Sequence, residues 1–175
     1  QELGQQVIHF RESFHGRTGY AISMTNTTDP RKTKYFPKFS WPRVTNPKMR
    51  FPMEGEHLAA TLALEEQAER EIRSAFESNP GDIAAIILET IQAEGGDHQF
   101  RPEFHRRLRE LATEYDALLI YDEVQTGVGI TGAMWAFQHY PTTPDLVVFG
   151  KKMQVCGFFS GKRRADSKVC FRLYC

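Results

Sequence analysis

The sequence predicts an α/β fold in which helices flank a mostly parallel sheet. Three short apolar runs, at residues 83–88, 117–121 and 145–149, have the composition of buried strands. A helical pattern separates the first run from the second, and strand–helix–strand segments with right-handed crossovers build parallel sheets. The three runs lead into charged residues: Glu89, Asp122 and Lys151.

The amino-terminal third predicts fewer regular elements. Residues 6–10 have the composition of a short strand, and residues 14–17 follow as a turn. A helix is predicted over Thr18–Thr25, although Gly19 weakens it. Five prolines between residues 30 and 52 exclude a long helix there, and the aromatic residues among them favour an ordered, packed loop.

Two amphipathic helices are predicted beyond this loop. The first covers His57–Glu77 and ends at Asn79-Pro80-Gly81; its apolar face comprises Leu58, Leu62, Ala68, Ile72 and Phe76. The second begins at Pro102, a favoured residue in a first helical turn, and directs toward the core Phe104, Leu108, Leu111 and Tyr115. The aromatic-rich segment Gly132–Tyr140 is also predicted to be helical. The run at residues 117–121 is expected to be buried on both faces of the sheet.

Composition limits the function classes. The 175 residues allow one domain, and 22 basic against 22 acidic side chains give no support for nucleic-acid or membrane attraction. No apolar run approaches the roughly 20 residues of a membrane helix, and no secretion signal is visible. The three cysteines lack a Cys-x-x-Cys pair and suggest reduced thiols of a cytoplasmic protein. The histidines show no metal-type spacing, so no metal site is expected.

The charged residues after the three runs suggest a site. In a parallel sheet they share one edge, which is where α/β proteins bind ligands, although strand ends also carry charges simply because they are solvated. Pyridoxal phosphate needs a lysine for its aldehyde and an anion beside its ring nitrogen, and Lys151 and Asp122 have this chemistry. An Asp-Glu strand end also occurs in P-loop ATPases, but the required G-x-x-x-x-G-K-[ST] loop is absent from the sequence.

Four motifs give a more specific indication. They are FHGRT at Phe14–Thr18, E-x-x-Q-x-E-G-G at Glu89–Gly96, DEVQTG at Asp122–Gly127 and PDLVVFGK at Pro144–Lys151. In this order they resemble the class III aminotransferases, and the resemblance covers residues 1–165. It implies the central part of the large pyridoxal-phosphate-binding domain of a type I transferase, with residues 166–175 unassigned. The small domain and the loops that bind the cofactor phosphate are then expected outside this sequence.

The resemblance also implies roles for particular residues. Lys151 matches the lysine that binds the cofactor aldehyde, and Asp122 matches the partner of the ring nitrogen. Gln125 matches a residue near the ring hydroxyl, Phe14 matches the aromatic side chain that stacks on the ring, and His15 lies beside it. All five are therefore expected to contact the cofactor, with Lys151 and Asp122 as catalytic residues.

The segments Ile91–Phe104 and Gly150–Gly157 resemble family members that act on the terminal amine of L-lysine, and this resemblance implies lysine as the amine donor. There, Arg17 resembles the arginine that holds a substrate carboxylate. Glu94 resembles a carboxylate near the substrate that can pair with a substrate-binding arginine and can move away from it. Glu89 and Glu123 match motif positions farther from the substrate. The implied acceptor is 2-oxoglutarate and the implied assembly a homodimer. The alternatives are another ω-amine donor (ornithine, 4-aminobutyrate or acetylornithine) and an inactive truncated fragment.

Overall fold

A six-stranded sheet forms the centre of the structure, a computed structural model that describes residues 3–161. Its strands are β1 (Gln6–Phe10), β2 (Arg43–Val44), β3 (Ile83–Glu89), β4 (Leu118–Asp122), β5 (Leu146–Phe149) and β6 (Gly157–Ser160). They lie in the order β2-β1-β3-β4-β5-β6. All neighbouring pairs are parallel except β5 and β6, so the predicted mostly parallel sheet is confirmed.

Four α-helices accompany the sheet. They are α1 (Ala21–Met24), α2 (Gly55–Ser78), α3 (Ala93–Gly96) and α4 (Pro102–Glu114). Short 3-10 turns occur at Pro30–Lys32, Ala136–His139 and Lys151–Met153. The two predicted amphipathic helices are therefore confirmed as α2 and α4, whereas the helix predicted over Thr18–Thr25 shrinks to the single turn α1.

The main core lies between one face of the sheet and the two long helices. Strands β1, β3 and β4 are neighbours in chain order, so right-handed crossovers in one direction place α2 and α4 on the same face. Side chains from both helices and these strands form one buried cluster, which includes Phe10, Ile72, Phe76, Ile86, Leu88, Leu108, Leu111, Leu119 and Tyr121. On the other face of the sheet lie the strand side chains that alternate with these core positions.

Two burial predictions are wrong among the described residues. Leu118 and Ile120 are only partly buried, because both long helices cover the face opposite to them. Leu62 is 38% exposed. Thr61 takes the core position instead, since it precedes Ala68 by seven residues, nearly two full helical turns, and Leu62 is rotated about 100° from it.

The helix predicted over Gly132–Tyr140 is also wrong. Only Ala136–His139 is helical, as one 3-10 turn. Glu123 accepts hydrogen bonds from the N–H groups of Ala136 (2.8 Å) and Phe137 (2.7 Å), which fixes the start of the turn. Pro141 lies two residues beyond the end of the turn and disfavours a helical conformation at Tyr140. A carboxylate distant in sequence therefore determines where this turn begins.

Three further observations concern the described residues alone. None of their helices is both long enough and apolar enough to cross a membrane. They contain no group of three or more His, Cys, Asp or Glu side chains arranged to hold a metal ion. Cys156 is an exposed free thiol. The predicted boundary at residue 165 and the unassigned tail 166–175 lie outside the described residues and stay predictions.

Candidate active site

The carboxyl ends of β3, β4 and β5 meet at one edge of the sheet. Glu89 pairs in register with Asp122, and Asp122 pairs with Val148 on β5. Lys151 follows two residues after the end of β5. Because successive side chains of a strand point to opposite faces, Glu89 and Asp122 lie on the face opposite to α2 and α4. The parallel register thus brings the three predicted charged residues to one edge.

Asp122 is held in place by two hydrogen bonds. His15 Nδ1 donates to its Oδ2 at 2.8 Å, and the backbone N–H of Val124 donates to its Oδ1 at 3.0 Å. The His15 side chain is 1% exposed, and the Asp122 side chain 9%. The other ring nitrogen of His15, Nε2, is buried without a partner among the described residues. The two residues, 107 positions apart in sequence, therefore form one buried pair.

Lys151 has a backbone conformation that is unusual for its residue type. Its φ is 46°, in the left-handed region that side chains with a Cβ seldom adopt. The residue is exposed, and its amine donates to the side-chain oxygen of Gln125. Lys152 donates to the backbone oxygen of Gln125. Backbone strain of this kind is frequent at functional sites, and the cofactor-binding role of Lys151 stays a prediction.

Phe14 is tied to the strand ends by a backbone hydrogen bond. Its N–H donates to Glu89 Oε1 at 2.8 Å, which fixes the start of the FHGRT turn against β3. Burial raises the pKa of the Glu89 carboxyl to about 7. The neighbouring His15 ring and the Phe14 hydrogen bond lower this pKa, whereas Asp122 and Glu94 raise it further. Glu89 is therefore a buried carboxyl that titrates near neutral pH.

The two predicted substrate-binding residues, Arg17 and Glu94, do not contact each other in this structure. Arg17 is exposed and forms no ion pair with the described residues. Glu94, on α3, instead contacts Lys32, and it accepts a hydrogen bond from Thr27 Oγ1 at 2.9 Å. Sequence patterns do not predict Thr27 or Lys32 at this site, because only the path of the chain after α1 brings them to Glu94.

Glu123 organises the loop beyond β4. Besides the two backbone N–H groups of the 136–139 turn, its carboxylate accepts from the hydroxyls of Thr90 (3.1 Å) and Thr126 (2.9 Å). It is 1% exposed. Gly127 is required nearby, since a Cβ at this position would lie 2.7 Å from the Trp135 ring. Glu123 thus links the ends of β3 and β4 to the segment that precedes β5.

Glu89→Gln is expected to become progressively more stable than the parent chain as the pH rises. A carboxyl whose pKa rises from 4.5 to about 7 on folding contributes stability below the lower value and loses it as pH passes the upper one. The difference in free energy of unfolding should therefore shift by about 1–3 kcal/mol in favour of glutamine between pH 5 and pH 8. Urea denaturation at both pH values measures it.

The exposed Glu77 on α2 provides the matched control. Glu77→Gln should change the free energy of unfolding by a similar, small amount at both pH values. If Glu89→Gln followed the same flat profile, the Glu89 carboxyl would not titrate in its buried setting.

The strand-end geometry can be compared with known proteins. The aminotransferase class-III family model matches residues 2–173. The chain belongs to the class-III aminotransferases. The L-lysine-epsilon aminotransferases of Mycobacterium tuberculosis and Streptomyces clavuligerus are 55% and 49% identical to it. These alignments cover 92% and 90% of this chain, but 35% and 34% of the relatives.

Solved class-III structures agree with the fold. A lysine aminotransferase from Mycobacterium tuberculosis, in the internal aldimine form, superposes with a TM-score of 0.88 at 55% identity. The match covers 94% of this chain and 37% of that chain.

A sequence relative with another substrate in its name is also similar. This 4-aminobutyrate aminotransferase from Dictyostelium discoideum is 38% identical, over 87% of this chain and 31% of its own length. The chain therefore spans about a third of the length of these class-III relatives.

Proposed function

We propose that the complete protein transfers the terminal amine of L-lysine to 2-oxoglutarate, giving 2-aminoadipate 6-semialdehyde and glutamate, with pyridoxal phosphate as cofactor. The observation that carries the proposal is the placement of Lys151, in its left-handed conformation, one strand from the buried Asp122–His15 pair. The choice of lysine is supported by the 55% identity to an L-lysine-epsilon aminotransferase over 92% of this chain.

The strand-end residues have the chemistry that pyridoxal phosphate requires. Lys151 offers an exposed primary amine for the cofactor aldehyde. Each Asp122 oxygen accepts one hydrogen bond and keeps a further lone pair, which is suited to a ring N–H. Nε2 of His15 is buried and has no hydrogen-bond partner among the described residues, which is unusual in a protein core and favours a ligand-binding site. Phe14 and Gln125 would contact the ring.

The chain's own residues then have separate tasks. When bound, the cofactor would supply an electron sink that stabilises negative charge on a substrate carbon. The free amine of Lys151 would take a proton from the carbon that bears the substrate amine and would deliver a proton to the carbon of the cofactor aldehyde. His15 and the Val124 N–H fix the orientation of Asp122. The Asp122 carboxylate can then place its negative charge beside the ring nitrogen.

Two substrates of different length must present different atoms to one lysine. Arg17 would hold the α-carboxylate of lysine, because its guanidinium is exposed and unpaired among the described residues. Glu94 would take different positions for lysine, whose reacting end carries no carboxylate, and for 2-oxoglutarate, which has a carboxylate at each end. Removing Arg17 should therefore affect lysine binding, and removing Glu94 the discrimination between the two substrates.

The assembly and the compartment are also part of the proposal. A homodimer is supported by family membership, and a cytoplasmic location by the free thiol of Cys156. A different ω-amine donor is the second candidate, since 4-aminobutyrate aminotransferases are 37–39% identical to this chain. The 175 residues of this sequence, taken alone, could also form an inactive fragment, because they span about a third of these relatives.

The complete protein, supplied with pyridoxal phosphate and 2-oxoglutarate, is expected to transfer ¹⁵N from lysine labelled at the terminal amine into glutamate. Lysine labelled at the α-amine should transfer none. Because one methylene changes transition-state binding by about 10-fold or more, kcat/KM for lysine should exceed that for ornithine by at least this factor. Mass spectrometry of the glutamate product measures both results.

The same assay separates the candidates. Preference for ornithine or 4-aminobutyrate would replace lysine as the donor and keep the reaction class. If the complete protein transferred nitrogen from none of these amine donors, the proposed reaction would be contradicted. Transfer by the complete protein, but not by the 175 residues alone, would identify this sequence as a fragment without activity of its own.

A further inference from the structure

The turn that carries Glu94 has a rigid base. The backbones of Gln92 and His98 exchange hydrogen bonds of 2.9 and 3.1 Å across it. The Gln92 side chain, fully buried, accepts from Asn46 Nδ2 at 2.7 Å and donates to the Arg11 carbonyl at 3.0 Å. These contacts tie the turn to the residue that follows β1 and to the segment after β2, so the backbone of this turn has little freedom.

Close packing removes freedom from the middle of the turn as well. A Cβ at Gly95 would lie 2.3 Å from the Glu12 carbonyl oxygen. Lys48 donates to Glu12 Oε2 at 2.7 Å, which holds Glu12 beneath the turn. With the backbone fixed, the Glu94 carboxylate changes position mainly by rotation about its side-chain bonds. The contacts at its tip therefore decide where it rests.

Those contacts come from a short, structured segment. Asp29 caps the 3-10 turn Pro30–Lys32 by accepting from the Arg31 N–H at 3.0 Å, and its own N–H donates to Thr27 Oγ1 at 3.3 Å. The same Thr27 hydroxyl donates to Glu94, and Lys32 supplies an ammonium to the same carboxylate oxygen. Thr27 and Lys32 together form a binding position for the Glu94 carboxylate, with one hydroxyl donor and one ammonium.

We propose that Lys32, with Thr27, is a specificity-determining residue that holds Glu94 in a resting position and so admits a substrate with a second carboxylate. This inference rests on the proposed function. When a dicarboxylate such as 2-oxoglutarate binds, Glu94 must stay away from the additional negative charge, since like charges repel at close range. Lysine brings an amine to the same place and tolerates Glu94 nearby. Lys32 therefore favours the acceptor half of the reaction.

The expected effect is modest. The side chains of Lys32 and Glu94 are 38% and 29% exposed, so solvent screens their attraction. Removing one partner of such an exposed pair should shift the balance between two positions of Glu94 by about two- to fivefold. A shift of this size changes substrate preference without abolishing either half of the reaction.

The Lys32→Met variant of the complete, cofactor-loaded protein tests the inference. The ratio of kcat/KM for lysine to kcat/KM for 2-oxoglutarate should rise by about two- to fivefold. Calorimetric titration gives a second readout: glutarate, an unreactive dicarboxylate, should bind about two- to fivefold more weakly, for the same reason. Valerate, with one carboxylate, should bind as before. Thr27→Val should act in the same direction.

Lys34→Met is the matched control, because Lys34 is exposed and its ammonium lies over the Tyr35 ring, 4.5 Å from the centroid. It removes the same charge from the same segment and should leave the ratio unchanged. An unchanged ratio in Lys32→Met, or an equal change in Lys34→Met, overturns the inference while leaving the transamination intact. Failure of the parent chain to transfer the lysine amine would instead overturn the proposed function.

Discussion

Replacing Lys151 with alanine should lower kcat/KM for the proposed lysine reaction by about 10³-fold or more, because the variant loses the amine that we propose to bind the cofactor aldehyde and to transfer protons. Borohydride reduction of the parent enzyme, followed by peptide mass spectrometry, should place the cofactor on the peptide at Lys151. The same treatment of Lys151→Ala should leave this peptide unmodified. Turnover and mass together measure the prediction.

Lys152→Ala is the closest available control. Lys152 is the next residue in the chain, is also exposed, and also donates to Gln125, but to its backbone oxygen. We expect this variant to keep the modified peptide and to lose less than about 10-fold in kcat/KM, since only a surface contact is removed. Modification of Lys152 in place of Lys151 would contradict the assignment.

The difference between the two lysines lies in the backbone. Only Lys151 follows the extended Gly150 (φ −178°) with φ in the left-handed region. Gly150 is closely packed, since a Cβ there would lie 3.0 Å from Cys156 Sγ and 3.4 Å from Val124 Cγ1. The end of β5 is thus fixed against the Asp122–Gly127 loop, which defines where the Lys151 side chain begins.

Sequence patterns predicted the elements whose formation depends on local periodicity. The apolar runs became β3, β4 and β5, and the amphipathic stretches became α2 and α4. The edge strands β2 and β6 were not predicted, because each is short and depends on a neighbouring strand. The failed helix at Gly132–Tyr140 has the same kind of cause, since Glu123 sets its start from outside the segment.

The candidate site shows a similar division. Parallel topology was enough to bring Asp122 and Lys151 to one edge, and motif resemblance was needed to add Phe14 and His15. The hydrogen bond between His15 and Asp122 joins residues 107 positions apart, and no spacing rule predicts it. The Lys32 contact with Glu94 likewise depends on the path of a proline-rich loop, which periodicity does not describe.

Replacing Glu123 with alanine is expected to cost stability more than any other single change at this edge. Two backbone N–H groups and two hydroxyls would lose a shared, buried acceptor. Each buried donor left unsatisfied costs about 1–3 kcal/mol, so the free energy of unfolding should fall by about 4 kcal/mol or more. Urea denaturation at pH 7, followed by circular dichroism, measures the loss.

Two further variants test whether the buried hydrogen bonds are the cause. Glu123→Gln keeps one acceptor oxygen and should lose about half as much, roughly 2 kcal/mol. Glu110→Ala removes an exposed α4 carboxylate that pairs with Arg107, and should cost less than about 1 kcal/mol. Equal losses in Glu123→Ala and Glu110→Ala would contradict the role given to Glu123.

Asp122 and Glu123 adjoin in sequence, yet strand alternation turns one toward the proposed cofactor while the other caps a loop. Asp122 accepts two hydrogen bonds and keeps lone pairs free, whereas Glu123 already accepts four. Asp122→Asn should therefore reduce turnover with a smaller loss of stability than Glu123→Ala. In the proposed enzyme, Asp122 would act on the cofactor, whereas Glu123 stabilises the loop whose Gln125 contacts Lys151.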